Sequence, residues 1–440
     1  MEQKTLYDKI IEWVKNQDKN SNRSLMVNGL AGTGKTTLLS HLSSYLSKSY
    51  FQTAIVSLTG RAVVSITEKF DKYNINRKGL SFSTIHSFLY NAKIMEVETG
   101  VSGVYDIFFE FLPRKELDDI FELLFIDEAS MIGEGIFNDL KKLKIPKIFF
   151  GDLNQLPPIE NGNNSKGFNI SDHVDCNLYL KTPIRNVNNY DIILTAIKIA
   201  ENGFVPSDIN SENLRRLDWN KNGKNLWEGL NHSNNNFINL AYRNKTKTKL
   251  NSKIRGIYDF KENAPYPGEK VVILKNNYTY GIFNGEIYKC FFSNIIIGGN
   301  ESLLKIRIYD ENTIKNKKTI LTSGLFFNGI SNILDIARHE KTIRYKDSIK
   351  DGVIKEIEYD NLLPDINLKR LSLKALSRLV RTFIVPVDYG YVITIHKSQG
   401  SEWGNVVIFD DFNFLKGESY SRLFYTAITR SKGKVIVFNM

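Results

Sequence analysis

Apolar residues recur along the chain in two rhythms. Near the start, Leu6, Ile10, Ile11 and Val14 fall one, three and four residues apart, the spacing of one helix face, and predict an amphipathic helix. Beyond it, short apolar runs at 24–28, 54–58, 122–126 and 147–150 alternate with helical patterns, the clearest of them at 37–46. Strands that are apolar on both sides suit a parallel sheet covered by helices on both faces, so this part of the chain reads as α/β. The alternation resumes near Leu180, with runs at 237–241, 391–394, 406–409 and 435–438, and predicts a second α/β body.

Two stretches break the rhythm. Residues 91–111 place KIMEV and VYDIFFEF on either side of Glu98-Thr99-Gly100-Val101-Ser102-Gly103, a turn-forming segment, and read as a β-hairpin. Residues 286–382 carry alternating runs at 287–297, 303–308 and 319–323, followed by helical patterns, and suggest a small β domain with helical additions. The division that results is 1–90 with 112–179 for the first body and 180–285 with 383–440 for the second, interrupted by these two insertions. Asn-rich patches at 161–164 and 231–236 read as surface loops.

At 440 residues, 42% hydrophobic and 24% charged, the composition excludes both a disordered chain and a single small binding module. Lys and Arg number 59 against 48 Asp and Glu, a net charge of +11 that fits a polyanionic partner but also an ordinary basic protein. Two cysteines, Cys176 and Cys290, cannot build a disulfide framework, which points to a reducing, cytoplasmic compartment. His173 and Cys176 have ligand-like spacing, but no second pair completes the four ligands of a structural zinc. No apolar run approaches the roughly 18 residues of a membrane span, and the charged start is unlike a signal peptide, so a soluble protein without a membrane partner is expected.

The chemistry concentrates at the ends of the expected strands. Gly29-Leu30-Ala31-Gly32-Thr33-Gly34-Lys35-Thr36 fits G-x-x-x-x-G-K-[ST] between a strand and a helix, the context that pattern requires. Its glycines let backbone N–H groups wrap a polyphosphate, and the helix N-terminus adds positive potential. Lys35 would reach the β- and γ-phosphates of ATP and the Thr36 hydroxyl would bind Mg²⁺. Downstream, Leu123-Leu124-Phe125-Ile126-Asp127-Glu128 is an apolar strand ending in two carboxylates. Behind a phosphate loop, Asp127 is placed to hold Mg²⁺ and Glu128 to orient or deprotonate the attacking water. A further apolar strand ends in Gly151-Asp152-Leu153-Asn154-Gln155-Leu156-Pro157-Pro158.

The order and wording of GLAGTGKT, FIDEAS and GDLNQLPP resemble motifs I, II and III of superfamily 1 helicases. The remaining motifs follow in order. Gln3 resembles the adenine-reading Gln, Thr59-Gly60-Arg61-Ala62 motif Ia, and Thr84-Ile85-His86 motif Ib. Arg185 in LKTPIRN is similar to the motif IV arginine, and Ala241-Tyr242-Arg243-Asn244-Lys245 to the strand motif after it. Ile393-Thr394-Ile395-His396-Lys397-Ser398-Gln399-Gly400 resembles motif V, and Tyr425-Thr426-Ala427-Ile428-Thr429-Arg430 motif VI. The match runs from Gln3 to Arg430, and the TGRA, HKSQG and YTAITR wording is most similar to the RecD/Dda-type branch, superfamily 1B. Leu30 departs from the frequent Pro of motif I, and Arg185 is preceded by Thr182-Pro183-Ile184 and followed by Asn186, a departure on which no adenine-stacking aromatic is assigned.

That resemblance implies two tandem RecA-like P-loop domains, a β-hairpin pin at 91–111 and a Src-homology-3-like β-barrel insertion at 286–382. It implies an ATP- and Mg²⁺-dependent DNA helicase that translocates 5′ to 3′ on single-stranded DNA and opens forked duplexes, with single-strand-binding or replisome proteins as candidate partners. Lys35, Glu128, Gln155, Arg185 and Arg430 are then the catalytic set, the two arginines acting as fingers from the second body. Gln3, Gly29, Gly32, Thr33, Gly34, Thr36, Thr37, Gly400 and Glu402 would complete the nucleotide site, with Thr36 and Asp127 on the metal. Thr59, Arg61, Thr84, His86, Thr394, His396 and Lys397 would grip DNA phosphates without reading bases, and Val101, Val104 and Tyr105 would form the strand-separating tip. Lys374, Arg378 and Arg381 share one face of an expected helix that reads as a solvated face rather than a DNA contact. Two alternatives stay open: a nucleotide-gated binding or loading factor that does not unwind, and an RNA-directed helicase of the same branch.

Overall fold

A computed structural model describes residues 2–440 except 18–20, 49–51, 99–104, 115, 159–167, 184–189, 207, 233–236, 261–264, 275–281, 283, 298–302, 310–316 and 324–384. In strands 92–98, 105–112, 291–297, 303–309 and 317–323 only the backbone is described. Two compact units partition the chain. One comprises Met1–Asn91, Pro113–Phe260 and Tyr391–Met440, the other Ala92–Leu112 and Lys261–Gly390.

The first unit contains two parallel sheets. The N-terminal lobe has six strands in the spatial order Leu80–Thr84, Thr53–Ser57, Leu123–Asp127, Lys147–Gly151, Ser24–Gly29 and Cys176–Leu180. Every described pairing is parallel, so the C-terminal ends of all these strands lie at one edge. Side chains alternate between two cores. Leu25, Val27, Ile55, Leu123, Phe125, Ile148 and Phe150 face helices Glu2–Lys15, Lys35–Leu46 and Gly60–Lys72. Met26, Ala54, Val56, Leu124, Ile126 and Phe149 face helices Ile85–Leu89 and Glu134–Lys141. Burial on both faces is what continuous apolar runs require.

The C-terminal lobe repeats the plan with five parallel strands in the order Val392–Thr394, Phe237–Ala241, Asn405–Asp410, Val435–Asn439 and Leu214–Asp218. Trp227 is fully buried against Phe409, Phe438, Leu250 and Ile254. Its indole N–H donates to Asn239 Oδ1 at 2.8 Å, the partner a buried Trp requires.

The second unit contains a two-stranded sheet, Tyr90–Glu98 with Tyr105–Pro113, at the expected hairpin position. It also holds a five-stranded antiparallel sheet in the order Lys317–Ser323, Leu303–Tyr309, Ile287–Ile297, Lys270–Ile273 and Val387–Tyr389. The last two strands lie outside the expected insertion 286–382 and join the same sheet. Lys270–Ile273 pairs antiparallel with both Ile287–Ile297 and Val387–Tyr389. The pin-tip residues Val101 and Val104, the Tyr105 side chain, and Lys374, Arg378 and Arg381 lie outside the described residues, as do 161–164 and 233–236, while Asn231 and His232 of the expected loop 231–236 end helix Lys224–His232.

Candidate nucleotide and nucleic-acid site

The phosphate loop leaves strand Ser24–Gly29 and enters helix Lys35–Leu46 through two left-handed glycines, Gly32 at φ 81° and Gly34 at φ 84°. Only glycine takes that conformation cheaply, and here it turns the backbone into a cradle. Thr33 closes the loop on itself, its hydroxyl donating to Leu30 O at 2.8 Å. The Lys35 ammonium donates to Gly29 O at 2.5 Å and Leu30 O at 2.9 Å, so its charge stays within the cradle. Gln3, expected to read adenine, donates from Nε2 to Thr33 O at 2.7 Å and so ties the first helix to the loop. Beside it, the Glu2 carboxylate accepts the backbone N–H groups of Lys181 and Thr182. Thr36 and Thr37 occupy the first turn of the helix.

Register aligns Ser57 with Asp127 and Asn28 with Gly151, which brings the acidic pair and the Gly151–Asp152 turn to the same sheet edge as the loop. Asp127 is buried, and burial pushes its carboxyl above the ordinary range against the pull of Lys69, the Glu128 N–H, Lys35 and the Thr36 hydroxyl. Glu128 is pushed up by burial and by repulsion from Asp127 and Asp152, while Arg430 and Lys35 pull it down. Its backbone is left-handed, φ 54°, a position uncommon for a residue with a side chain and one that occurs at functional turns. Thr36 and Asp127 offer a hydroxyl and a carboxylate oxygen side by side. Two hard oxygens with the remaining positions left to phosphate and water are the donor set Mg²⁺ favours, and among the described residues no group of three or more His, Cys, Asp or Glu competes as a metal site. The His173 ring stacks on Phe168 at 4.9 Å.

Gln155 is buried, donates to Asp152 Oδ2 at 3.4 Å, and leaves Oε1 without a hydrogen-bond partner. A buried orphan acceptor suits a group that receives a hydrogen bond from a bound molecule. Arg430 reaches this site from the C-terminal lobe. Its guanidinium is buried, held by Thr426 O at 3.0 Å, Thr429 Oγ1 at 3.1 Å and Ser401 O at 3.4 Å. Burial lowers its pKa, opposed by the charges of Glu128 and Asp152 and by Tyr425. Arg185, the other expected finger, lies outside the described residues.

The residues expected on DNA share a different local design. Thr84 and Thr394 end strands, Thr59 follows strand Thr53–Ser57, and all three cap the helix that comes next, accepting N–H groups from Ser87, Lys397 and Ala62. An N-cap hydroxyl that accepts in this way still carries a proton to donate, next to the positive end of a helix. Gly400, expected at the nucleotide, packs against the Thr59 turn. At φ 74° it approaches so closely that a Cβ would stand 3.4 Å from Thr59 Oγ1 and Ala62 Cβ. Glu402 pairs with Lys432 at 3.6 Å. Arg61 sits on the first turn of helix Gly60–Lys72, and His86 is exposed with its ring 6.2 Å from Tyr90. His396 is half-buried against Tyr242, ring centroids 5.7 Å apart, and burial lowers its pKa. Lys397 follows it in the short helix Ile395–Ser398.

One residue that sequence reasoning left without a role stands at the centre of the site. Tyr425 is fully buried and donates to Asp152 Oδ2 at 2.6 Å, and its oxygen accepts the Ala31 N–H of the phosphate loop at 3.0 Å. The signal available in the sequence was a tyrosine within an otherwise apolar helical run, because a buried phenol demands partners.

Comparison with known proteins agrees with this architecture. Residues 14–161 match a family described as an AAA domain, and residues 389–438 a UvrD-like helicase C-terminal domain. The chain is 26% identical to the RecBCD enzyme subunit RecD of Buchnera aphidicola subsp. Schizaphis graminum, over 95% of this chain and 70% of that protein. It is 28% identical to the ATP-dependent DNA helicase dda of Enterobacteria phage T4, over 63% of this chain and 62% of that protein. Its fold is similar to that of Bacteroides Pif1 bound to single-stranded DNA, with a TM-score of 0.53 at 18% identity, covering 98% of this chain and 91% of that one.

Proposed function

We propose, for a chain that belongs to the RecD/Dda/Pif1-type helicases of superfamily 1B, that ATP hydrolysis at the strand ends of the N-terminal lobe drives 5′-to-3′ movement along single-stranded DNA and separation of a forked duplex. The observation that carries this reading is Arg430, a buried cation of the C-terminal lobe whose charge acts on Glu128 together with Lys35 of the phosphate loop. A site that draws charged groups from two lobes changes its closure when the γ-phosphate leaves, which is what converts hydrolysis into motion.

In this reading the loop N–H groups and Lys35 bind the phosphates, and Gln155 Oε1 and Glu128 orient the attacking water. Glu128, its carboxylate made more basic by Asp127 and by burial, accepts the water's proton. Arg430, and Arg185 with it, neutralise charge developing on the γ-phosphate. Thr36 and Asp127 would hold Mg²⁺, which supplies charge neutralisation between the β- and γ-phosphates. The capping hydroxyls of Thr59, Thr84 and Thr394, with Arg61, His86, His396 and Lys397, would grip successive phosphates of one strand. The relative dda is named an ATP-dependent DNA helicase, and the similar Bacteroides Pif1 structure holds single-stranded DNA, which favours DNA over RNA. No helix among the described residues is long and apolar enough to cross a membrane.

The test is strand displacement of 5′-tailed, 3′-tailed and forked duplexes of DNA and RNA, with ATP turnover followed on single strands. Unwinding of 5′-tailed DNA alone is expected. Displacement from 3′ tails would reverse the polarity, RNA preference would support the RNA-directed alternative, and DNA-stimulated turnover without displacement would support the loading factor.

A further inference from the structure

One hydroxyl of the C-terminal lobe touches two parts of the nucleotide site at once. Tyr425, on helix Gly417–Ile428 and five residues before Arg430, donates to Asp152 Oδ2 at 2.6 Å and accepts the Ala31 N–H at 3.0 Å. Asp152 is itself fully buried and organises the turn that presents Gln155. It accepts the Asn154 N–H on Oδ1 at 3.1 Å and Gln155 Nε2 on Oδ2 at 3.4 Å. Neighbouring contacts run the same way. The Leu156 N–H donates to Thr426 Oγ1 at 3.1 Å, and Gln399 Nε2 donates to Leu156 O at 3.4 Å.

Of these contacts only the phenol reaches the phosphate loop as well as the Asp152–Leu156 turn. Ala31 N–H is one of the donors by which such a loop holds an anion, and Gln155 carries the orphan acceptor suited to the attacking water. We propose that Tyr425 is a positioning residue through which the C-terminal lobe sets the phosphate loop and Gln155 for hydrolysis. Its hydroxyl fixes both elements relative to the helix that leads into Arg430, so the finger and the water-orienting amide are aligned by one joint. This inference rests on the hydrolytic reading of the site and adds to it a residue that would not touch the substrate.

Tyr425→Phe removes the hydroxyl and keeps the packing. With single-stranded DNA saturating, kcat for ATP is expected to fall about 10- to 100-fold, the loss of one hydrogen bond to a charged group, while KM changes less than about threefold. Because the variant also leaves the Asp152 carboxylate buried without its phenol, the double variant Tyr425→Phe/Asp152→Asn is measured beside it. Recovery of thermal stability without recovery of kcat supports positioning. Recovery of both, or a Tyr425→Phe kcat within about twofold of wild type, overturns it. Wild-type turnover is read in the same experiment: if it is absent, the hydrolytic reading fails first, whereas active wild type with an indifferent Tyr425→Phe removes only the positioning role.

Discussion

Each lobe ends one central strand in a pair of acidic residues, and the two pairs meet opposite fates. In the N-terminal lobe Phe125-Ile126-Asp127-Glu128 opens onto the phosphate loop, where the carboxylates meet mobile-charge chemistry: Lys35, Thr36 and Arg430. In the C-terminal lobe Ile408-Phe409-Asp410-Asp411 is consumed by the fold. Asp410 is buried beneath Arg216 at 2.9 Å and the Tyr420 hydroxyl at 2.7 Å, and Asp411 accepts the backbone N–H groups of Tyr242 and Arg243 at 2.8 and 3.0 Å. A carboxylate at a strand end therefore has no fixed meaning. Its partners decide whether it holds a substrate or a turn.

Replacing members of the two pairs should separate these roles. Asp127→Ala is expected to lower DNA-stimulated ATP turnover on the order of 10³-fold, about 4 kcal/mol in the barrier, because the anchor for a divalent ion is gone. Steady-state kinetics check the loss, and a melting temperature at or above that of wild type is expected, since one of two repelling buried carboxylates has been removed. Arg216→Ala should act in the opposite sense. Stranding Asp410 costs about 3 kcal/mol of unfolding free energy in urea titrations, while kcat of the folded enzyme is retained. A fall in kcat with unchanged stability would place Arg216 in the site instead. Asp411→Ala, which strips an acceptor from two backbone donors, should cost about 1–2 kcal/mol by the same titration.

The smallest effect concerns pH. His396 has its pKa lowered by burial from the ordinary 6.5, so the folded state binds fewer protons than the unfolded chain just below that value. Stability is lost as pH falls through the unfolded pKa and levels off once the folded pKa is passed. In His396→Gln the urea midpoint should decline less between about pH 6.5 and 5 than in wild type, and identical slopes would contradict the assignment.

Much of this was legible in the sequence because it is local. The apolar runs at 24–28, 122–126 and 147–150 are strands Ser24–Gly29, Leu123–Asp127 and Lys147–Gly151, and the loop between Gly29 and Lys35 has the left-handed glycines its spacing implies. The capping of Thr59, Thr84 and Thr394 was also available, as a threonine between a strand and a helix, yet resemblance to DNA-contacting motifs drew attention away from it. What could not be read is non-local. Lys270–Ile273 takes Ile287–Ile297 and Val387–Tyr389 as antiparallel partners, a pairing that no local pattern names. Tyr425 finds Asp152 and Ala31 across 273 and 394 residues of chain, and no local pattern encodes that meeting.

The most direct test of the contrast between the two acidic pairs is single-turnover hydrolysis by Glu128→Gln, with ATP binding followed in parallel. Neutralising the carboxylate proposed to activate water while keeping its shape should leave ATP affinity within about threefold and slow hydrolysis by about 10²–10⁴-fold. Hydrolysis near the wild-type rate would mean that the N-terminal pair, like Asp410 and Asp411, serves the fold and that the chemistry lies elsewhere.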